Sequence, residues 1–201
     1  MISEQLAVAF IAFAAATLFT PGPNNIMLMA SGLNYGFRRT LPHVAGVTIG
    51  FSFLVAVIGL GLGAVFAAFP VLHTVLKYVG TVYLVYLAVM IARSGPAQTG
   101  SAEAGRPMTF LGAAMFQWVN VKGWVIAIGA ITAYAAIAAY PLNIAALSVL
   151  LFVIGLGSSL TWVALGTSLQ GLVKSPRAVR IFNIVMAVLL LASLYPVLRE
   201  P

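Results

Sequence analysis

The ionised side chains of this chain are few, and they fall in short gaps between long apolar runs. Uncharged segments cover residues 5–37, 40–76, 78–92, 107–121, 123–173 and 181–198. Only 6% of the residues are charged and 62% are hydrophobic, whereas a soluble domain carries about 25% charged residues to keep its surface wetted. A bilayer core about 30 Å thick takes roughly 20 apolar residues per helix, so 201 residues have room for about six crossings with short connections. The expected fold is an all-α integral membrane protein, a single transmembrane domain over residues 1–201.

The net charge of +7 does not mark a nucleic-acid partner, because basic nucleic-acid surfaces cluster lysine and arginine on a polar domain. Here the cations sit between apolar runs, the pattern of loops on the cytoplasmic side of a membrane. The lipid bilayer is therefore the expected large partner. Cysteine is absent, which excludes disulfides and thiolate metal sites. The first apolar stretch, residues 6–19, has the small residues of a signal-peptide cleavage site, but Glu4 precedes it and apolar sequence follows at once. It is expected to be a retained helix.

Splitting the long runs at proline, glycine and polar turn signals predicts helices near residues 4–34, 41–69, 71–93, 107–136, 141–170 and 177–198. A Gly, Ser, Pro and Ala-rich loop at 94–106 divides two halves, about 1–93 and 107–201. The halves look related: VIGLG occurs at 57–61 and 153–157, and Pro42 and Pro141 are expected to open equivalent helices. Three crossings per half would turn the second copy upside down, giving two inverted three-helix repeats. In that arrangement Arg38, Arg39, Arg93, Arg106, Lys174, Arg177 and Arg180 share one side and Lys77 and Arg199 the other. The first side should be cytoplasmic and both termini outside.

Two segments carry chemistry. In Thr20-Pro21-Gly22-Pro23-Asn24-Asn25 the two prolines remove backbone donors and clash with preceding carbonyls, so the first helix should break. Broken backbone at membrane depth must be buried in protein or line a cavity. Asn24 or Asn25 is expected to cap a new half-helix whose free N–H groups suit a carboxylate; a packing kink is the alternative. The second segment holds Gln117, Asn120 and Lys122 in little more than a turn, a costly group in hydrocarbon that should face the protein interior. Snorkelling of Lys122 to the outer interface is its alternative. His43 is a weak candidate for a proton relay, against simple interfacial hydrogen bonding. The tryptophans and tyrosines suit packing or interface anchoring.

The run TPGPNNIMLMASGLNYGFRRTLPHVAGVTIGF at 20–51, with FQWVNVKGW at 116–124, closely resembles the LysE/RhtB family of bacterial amino-acid exporters, over nearly the whole chain. The resemblance implies inner-membrane export of amino acids or related metabolites, driven by the proton gradient, with no cofactor. Family members usually carry proline where Val121 stands here, so the break in the fourth helix is expected to be milder than the first. All three carboxylates, Glu4, Glu103 and Glu200, lie in a loop or at a terminus, leaving no anionic partner for a cationic substrate side chain. A neutral zwitterionic amino acid is favoured, with Thr20, Pro21, Gly22, Pro23, Asn24, Asn25, Gln117, Asn120 and Lys122 as its site. Rival readings are export of another metabolite or a cation, or a non-transport membrane subunit. The cation reading lacks carboxylate, thiolate or clustered imidazole ligands, and an intramembrane enzyme lacks a nucleophile beside a base. Assembly as a homo-oligomer stays open.

Overall fold

The computed structural model describes residues 3–94, 106–173, 175–195 and 198. All regular structure among them is helical: α1 Glu4–Phe19, α2 Pro23–Tyr35, α3 Phe37–Val57, α4 Gly63–Ala68, α5 Val71–Arg93, α6 Phe110–Phe116, α7 Val121–Tyr134, α8 Leu142–Ser168 and α9 Pro176–Ala192. Most of the expected loop at 94–106 lies outside the described residues.

Among the described residues three stretches, Phe37–Ala68, Val71–Arg93 and Leu142–Gly171, are long and apolar enough to cross a bilayer, and the number is five if each of two bent pairs, α1 with α2 and α6 with α7, is one span. The sixth expected crossing is weaker. Helix α9 has 17 residues and covers about 26 Å at 1.5 Å per residue, short of a hydrocarbon core of about 30 Å.

Helix boundaries follow local chemistry. Gly36, at φ 81°, makes the tight turn from α2 into α3, a conformation without penalty only for glycine. The turn starts α3 at Phe37, so Pro42 lies inside the helix and does not open it as the sequence implied. Sitting in the second turn, Pro42 sacrifices a single helical bond. Pro141 does stand at the start of α8. Between α3 and α4 the helix widens into a π-turn at Ile58–Leu62, where Gly61 takes φ 144°. Thr109 caps α6 through Gly112 N–H, and Ser175 caps α9 through Ala178 N–H.

Without a hydrophobic force between helices in lipid, close packing depends on small residues. Gly32 on α2 lies against the backbone of Val163 and Thr167 on α8, while Gly166 on α8 lies against the backbone of Met29 and Leu33. Gly46 and Gly50, one turn apart on α3, admit the backbone of Phe110 and Ala114 on α6. One apolar core joins α1, α3, α7 and α8 around Phe10, Leu54, Trp124 and Leu147, and a second joins α2, α5 and α9 around Met27, Leu84 and Leu190. Val8, Val82, Leu111 and Val153 point outward, as lipid-facing side chains do.

The end of the bundle where α2 meets α3 is also where α5 and α8 end and α9 begins. Gln170 donates to Leu33 O at 2.8 Å. Asn34 and Asn183 exchange amide hydrogen bonds at 2.7 and 2.9 Å, and Asn183 also donates to Ser94 O at 2.7 Å. Arg38, Arg39, Arg93, Arg177 and Arg180 belong to the helix termini at this end.

Candidate functional site

The first bent pair breaks where the two prolines demand it. Thr20 and Gly22 are extended, α2 restarts at Pro23, and the two helices meet at 55°. The capping expected of Asn24 or Asn25 is not found. Gly22 is the N-cap of α2, with no side-chain cap, because proline at the first helical position already supplies the required φ. Asn25 turns back instead: its Nδ2 donates to Leu18 O at 2.7 Å and Thr20 O at 2.8 Å, satisfying carbonyls at the end of α1. The first backbone bond of α2 runs from Ile26 N–H to Gly22 O, so the N–H groups of Asn24 and Asn25 stand ahead of the helical ladder.

Lys122 reaches the same break. Its Nζ donates to Thr20 O at 3.1 Å, Thr20 Oγ1 at 3.0 Å and Pro21 O at 3.3 Å. The ammonium therefore sits at the partly negative end of α1, and its stem lies over Gly22, where a Cβ would come within 2.8 Å of it. Snorkelling outward is not the geometry adopted.

The second bent pair breaks at Gln117–Asn120, and its 64° bend exceeds that of the first. The milder break expected from Val121 is not found. The helical ladder tightens into successive i to i−3 bonds, from the N–H groups of Gln117, Trp118, Val119 and Asn120, and the extended backbone of Asn120 starts α7. Trp124 Nε1 donates across the bend to Trp118 O at 3.1 Å. Gln117, fully buried, exchanges hydrogen bonds with Asn24 at 2.9 and 3.1 Å and donates to Ala113 O at 2.9 Å. Asn120 is buried, and among the described residues its Oδ1 has no partner.

Both breaks open onto one cavity of about 50 Å³, room for about four waters. Gly22, Pro23, Asn24, Asn25, Asn120 and Lys122 line it. Gln117 stands behind Asn24, while Thr20 and Pro21 contribute their oxygens to Lys122. Residues not foreseen complete the wall: Thr48 and Phe51 on α3, and Ser158 and Ser159 on α8. Ser158 Oγ donates to Leu18 O at 2.8 Å, just before the first break. The signal available in the sequence was the adjacency of two hydroxyls midway along α8. His43 is not part of this cavity; it is buried on α3 and lines a second one.

Two broken helices whose polar termini meet in a bundle of apolar helices are the arrangement found in membrane transporters. The chain belongs to the LysE type translocator family, whose model matches residues 15–193. It is similar to a cysteine/O-acetylserine efflux protein of Escherichia coli, 32% identical over 192 residues that cover 94% of this chain and 96% of the relative. The protein of that name from Shigella sonnei is 32% identical over 191 residues, 94% of this chain and 95% of its own. No solved structure matches the chain. Family and apolar helices together place it among multi-pass proteins of the bacterial inner membrane.

Proposed function

We propose that the protein exports a small neutral amino acid, or an O-acyl derivative of one, from the cytoplasm by alternating access. Cysteine and O-acetylserine are the first candidates because similar proteins carry them in their names. The observation that carries this reading is the convergence of both helix breaks on one cavity, which brings Asn24 and Asn25 together with Asn120 and Lys122. A substrate carboxylate would meet the leading N–H groups of α2 and α7 and the Lys122 ammonium. Its ammonium would meet the unpartnered Asn120 Oδ1 and the hydroxyls of Thr48 and Ser159. Among the described residues no carboxylate lines the cavity, so a second positive charge on the substrate would find no counter-ion there.

The architecture proposed is two inverted repeats, about 1–93 and 107–201, forming one transporter domain. In support, Thr20 and Gln117, 117 − 20 = 97 residues apart, begin breaks of similar angle. The packing partners also exchange between halves, since the first bent pair packs on α8 and the second on α3. The arginine-rich end would face the cytoplasm, with both termini outside. Energy would come from the proton gradient, with His43 the buried imidazole on which a relay would depend.

Inverted membrane vesicles test the proposal. Radiolabelled O-acetyl-L-serine and L-cysteine should accumulate in vesicles containing the protein when the lumen is acidified, and accumulation should collapse with an uncoupler. L-Lysine should not compete. Uptake no greater than in protein-free vesicles would overturn the export reading, and uptake indifferent to the proton gradient would remove the coupling.

A further inference from the structure

The second cavity, about 230 Å³, is larger than the one at the helix breaks and has room for roughly fifteen waters. Its wall on α2 is formed by Met27, Ala30, Ser31 and Asn34, the i, i+3, i+4, i+7 pattern of a single helix face. Asn24, one turn earlier on that helix, lines the first cavity. The two cavities therefore draw on successive turns of α2, Asn24 and Met27 being about 4.5 Å apart along the helix axis at 1.5 Å per residue. The end of α6 packs beside this stretch of α2: Gln117, its C-cap, is bonded to Asn24, and Phe116 is buried in the cluster that holds Met27 and Ala30.

The second cavity sets a few polar groups in a mostly apolar wall that includes Leu87, Met90 and Met108. His43 from α3 is 2% exposed, lines it, and among the described residues has a partner for neither ring nitrogen. A buried imidazole is normally hydrogen-bonded to protein, water or ligand. Tyr83 and Tyr86 enter from α5, and Arg106, before α6, supplies a guanidinium beside Ser94 at the end of α5. Among the described residues no carboxylate lines it. A planar guanidinium is suited to bidentate recognition of a ligand's carboxylate. A neutral imidazole offers the acceptor an ammonium needs.

We infer that this cavity is a second binding compartment, which takes up a small zwitterion from the arginine-bearing face, its carboxylate toward Arg106 and its ammonium toward His43, before it reaches the helix breaks. The inference rests on the export reading for the nature of the ligand. The compartment itself rests on the geometry around His43.

The absence of cysteine makes single-cysteine labelling a direct test. Leu172→Cys, at an exposed site after α8, marks the arginine-bearing face. Ala30→Cys places a thiol in the second cavity. A membrane-impermeant, charged methanethiosulfonate should modify the Ala30→Cys protein from the face that modifies the Leu172→Cys protein. O-acetyl-L-serine at ten times its Kd should slow that reaction about tenfold by mass action. Adding Arg106→Gln should leave the reaction intact and remove most of the protection. Failure of the Ala30→Cys protein to react from that face would overturn the compartment. So would reaction without protection in a protein that still exports the probe. Protection without any export in vesicles would uphold the compartment and overturn the export reading instead.

Discussion

At the scale of single residues, the site is a set of polar groups that largely satisfy one another, leaving a few directed at the cavity. Lys122 illustrates the difference between what a sequence shows and what a fold decides. That a lysine near Gln117 and Asn120 turns inward follows from the cost of its charge in hydrocarbon. That it meets the end of α1, and not the start of α2, depends on a contact across about one hundred residues. The misassigned cap has the same origin: Asn25 faces either helix from its position, and the unsatisfied carbonyls of Leu18 and Thr20 draw it back. Lys122→Met should therefore act twice. Export should fall to background in the vesicle assay. The thermal midpoint in detergent should also drop, because three hydrogen bonds from a charged donor to Thr20 and Pro21 are lost, at a cost of about 1–3 kcal/mol for groups left partly unsatisfied. Unchanged export with a lowered midpoint would make Lys122 a structural clamp alone. Asn120→Leu removes the unpartnered Oδ1 and should raise KM for the substrate many-fold, with folding judged by size-exclusion profile.

Among the helices, the breaks were legible and the bends were not. Proline and asparagine advertise the first interruption, but the sharper second one contains no proline; it is made by a run of i to i−3 bonds and the Trp124 to Trp118 hydrogen bond. The π-turn at Ile58–Leu62 was equally hidden, since VIGLG at 153–157 remains ordinary helix within α8. The same letters give different structures because tertiary contacts choose between them. Glycine makes the point measurable. A methyl group at Gly166 would run into the backbone of Met29, whereas one at Gly157 would meet nothing within 4 Å. Both lie inside α8, where alanine is intrinsically better than glycine by about 0.8–1 kcal/mol. Gly157→Ala should raise the thermal midpoint slightly. Gly166→Ala should lower it, because forcing apart two backbones costs about 1–3 kcal/mol and outweighs the propensity gain. A rise for both would mean that α2 and α8 are not held in contact at Gly166.

For the whole molecule, a sequence without charge across its long runs leaves little choice but a helical membrane bundle, and the chain's composition alone excludes a soluble fold. Direction is a different matter. A membrane bundle that opens in turn to either side can transport either way through the same site, so export depends on which face meets the cytoplasm, and the distribution of lysine and arginine bears on that. Helix α8 offers a clean test, because 27 residues without a break extend about 40 Å at 1.5 Å per residue, longer than the hydrocarbon core. The exposed residues beyond its two ends, Tyr140 and Leu172, must then lie on opposite faces. In intact cells, with the outer membrane permeabilised, an impermeant maleimide should label the Tyr140→Cys protein and spare the Leu172→Cys protein until the inner membrane is opened. Labelling in the reverse order would put the arginine-bearing end, and with it the mouth of the second cavity, outside. A gradient-driven cycle loaded from that face would then be uptake, and the relation to efflux proteins would extend to the fold but not to the direction of flow.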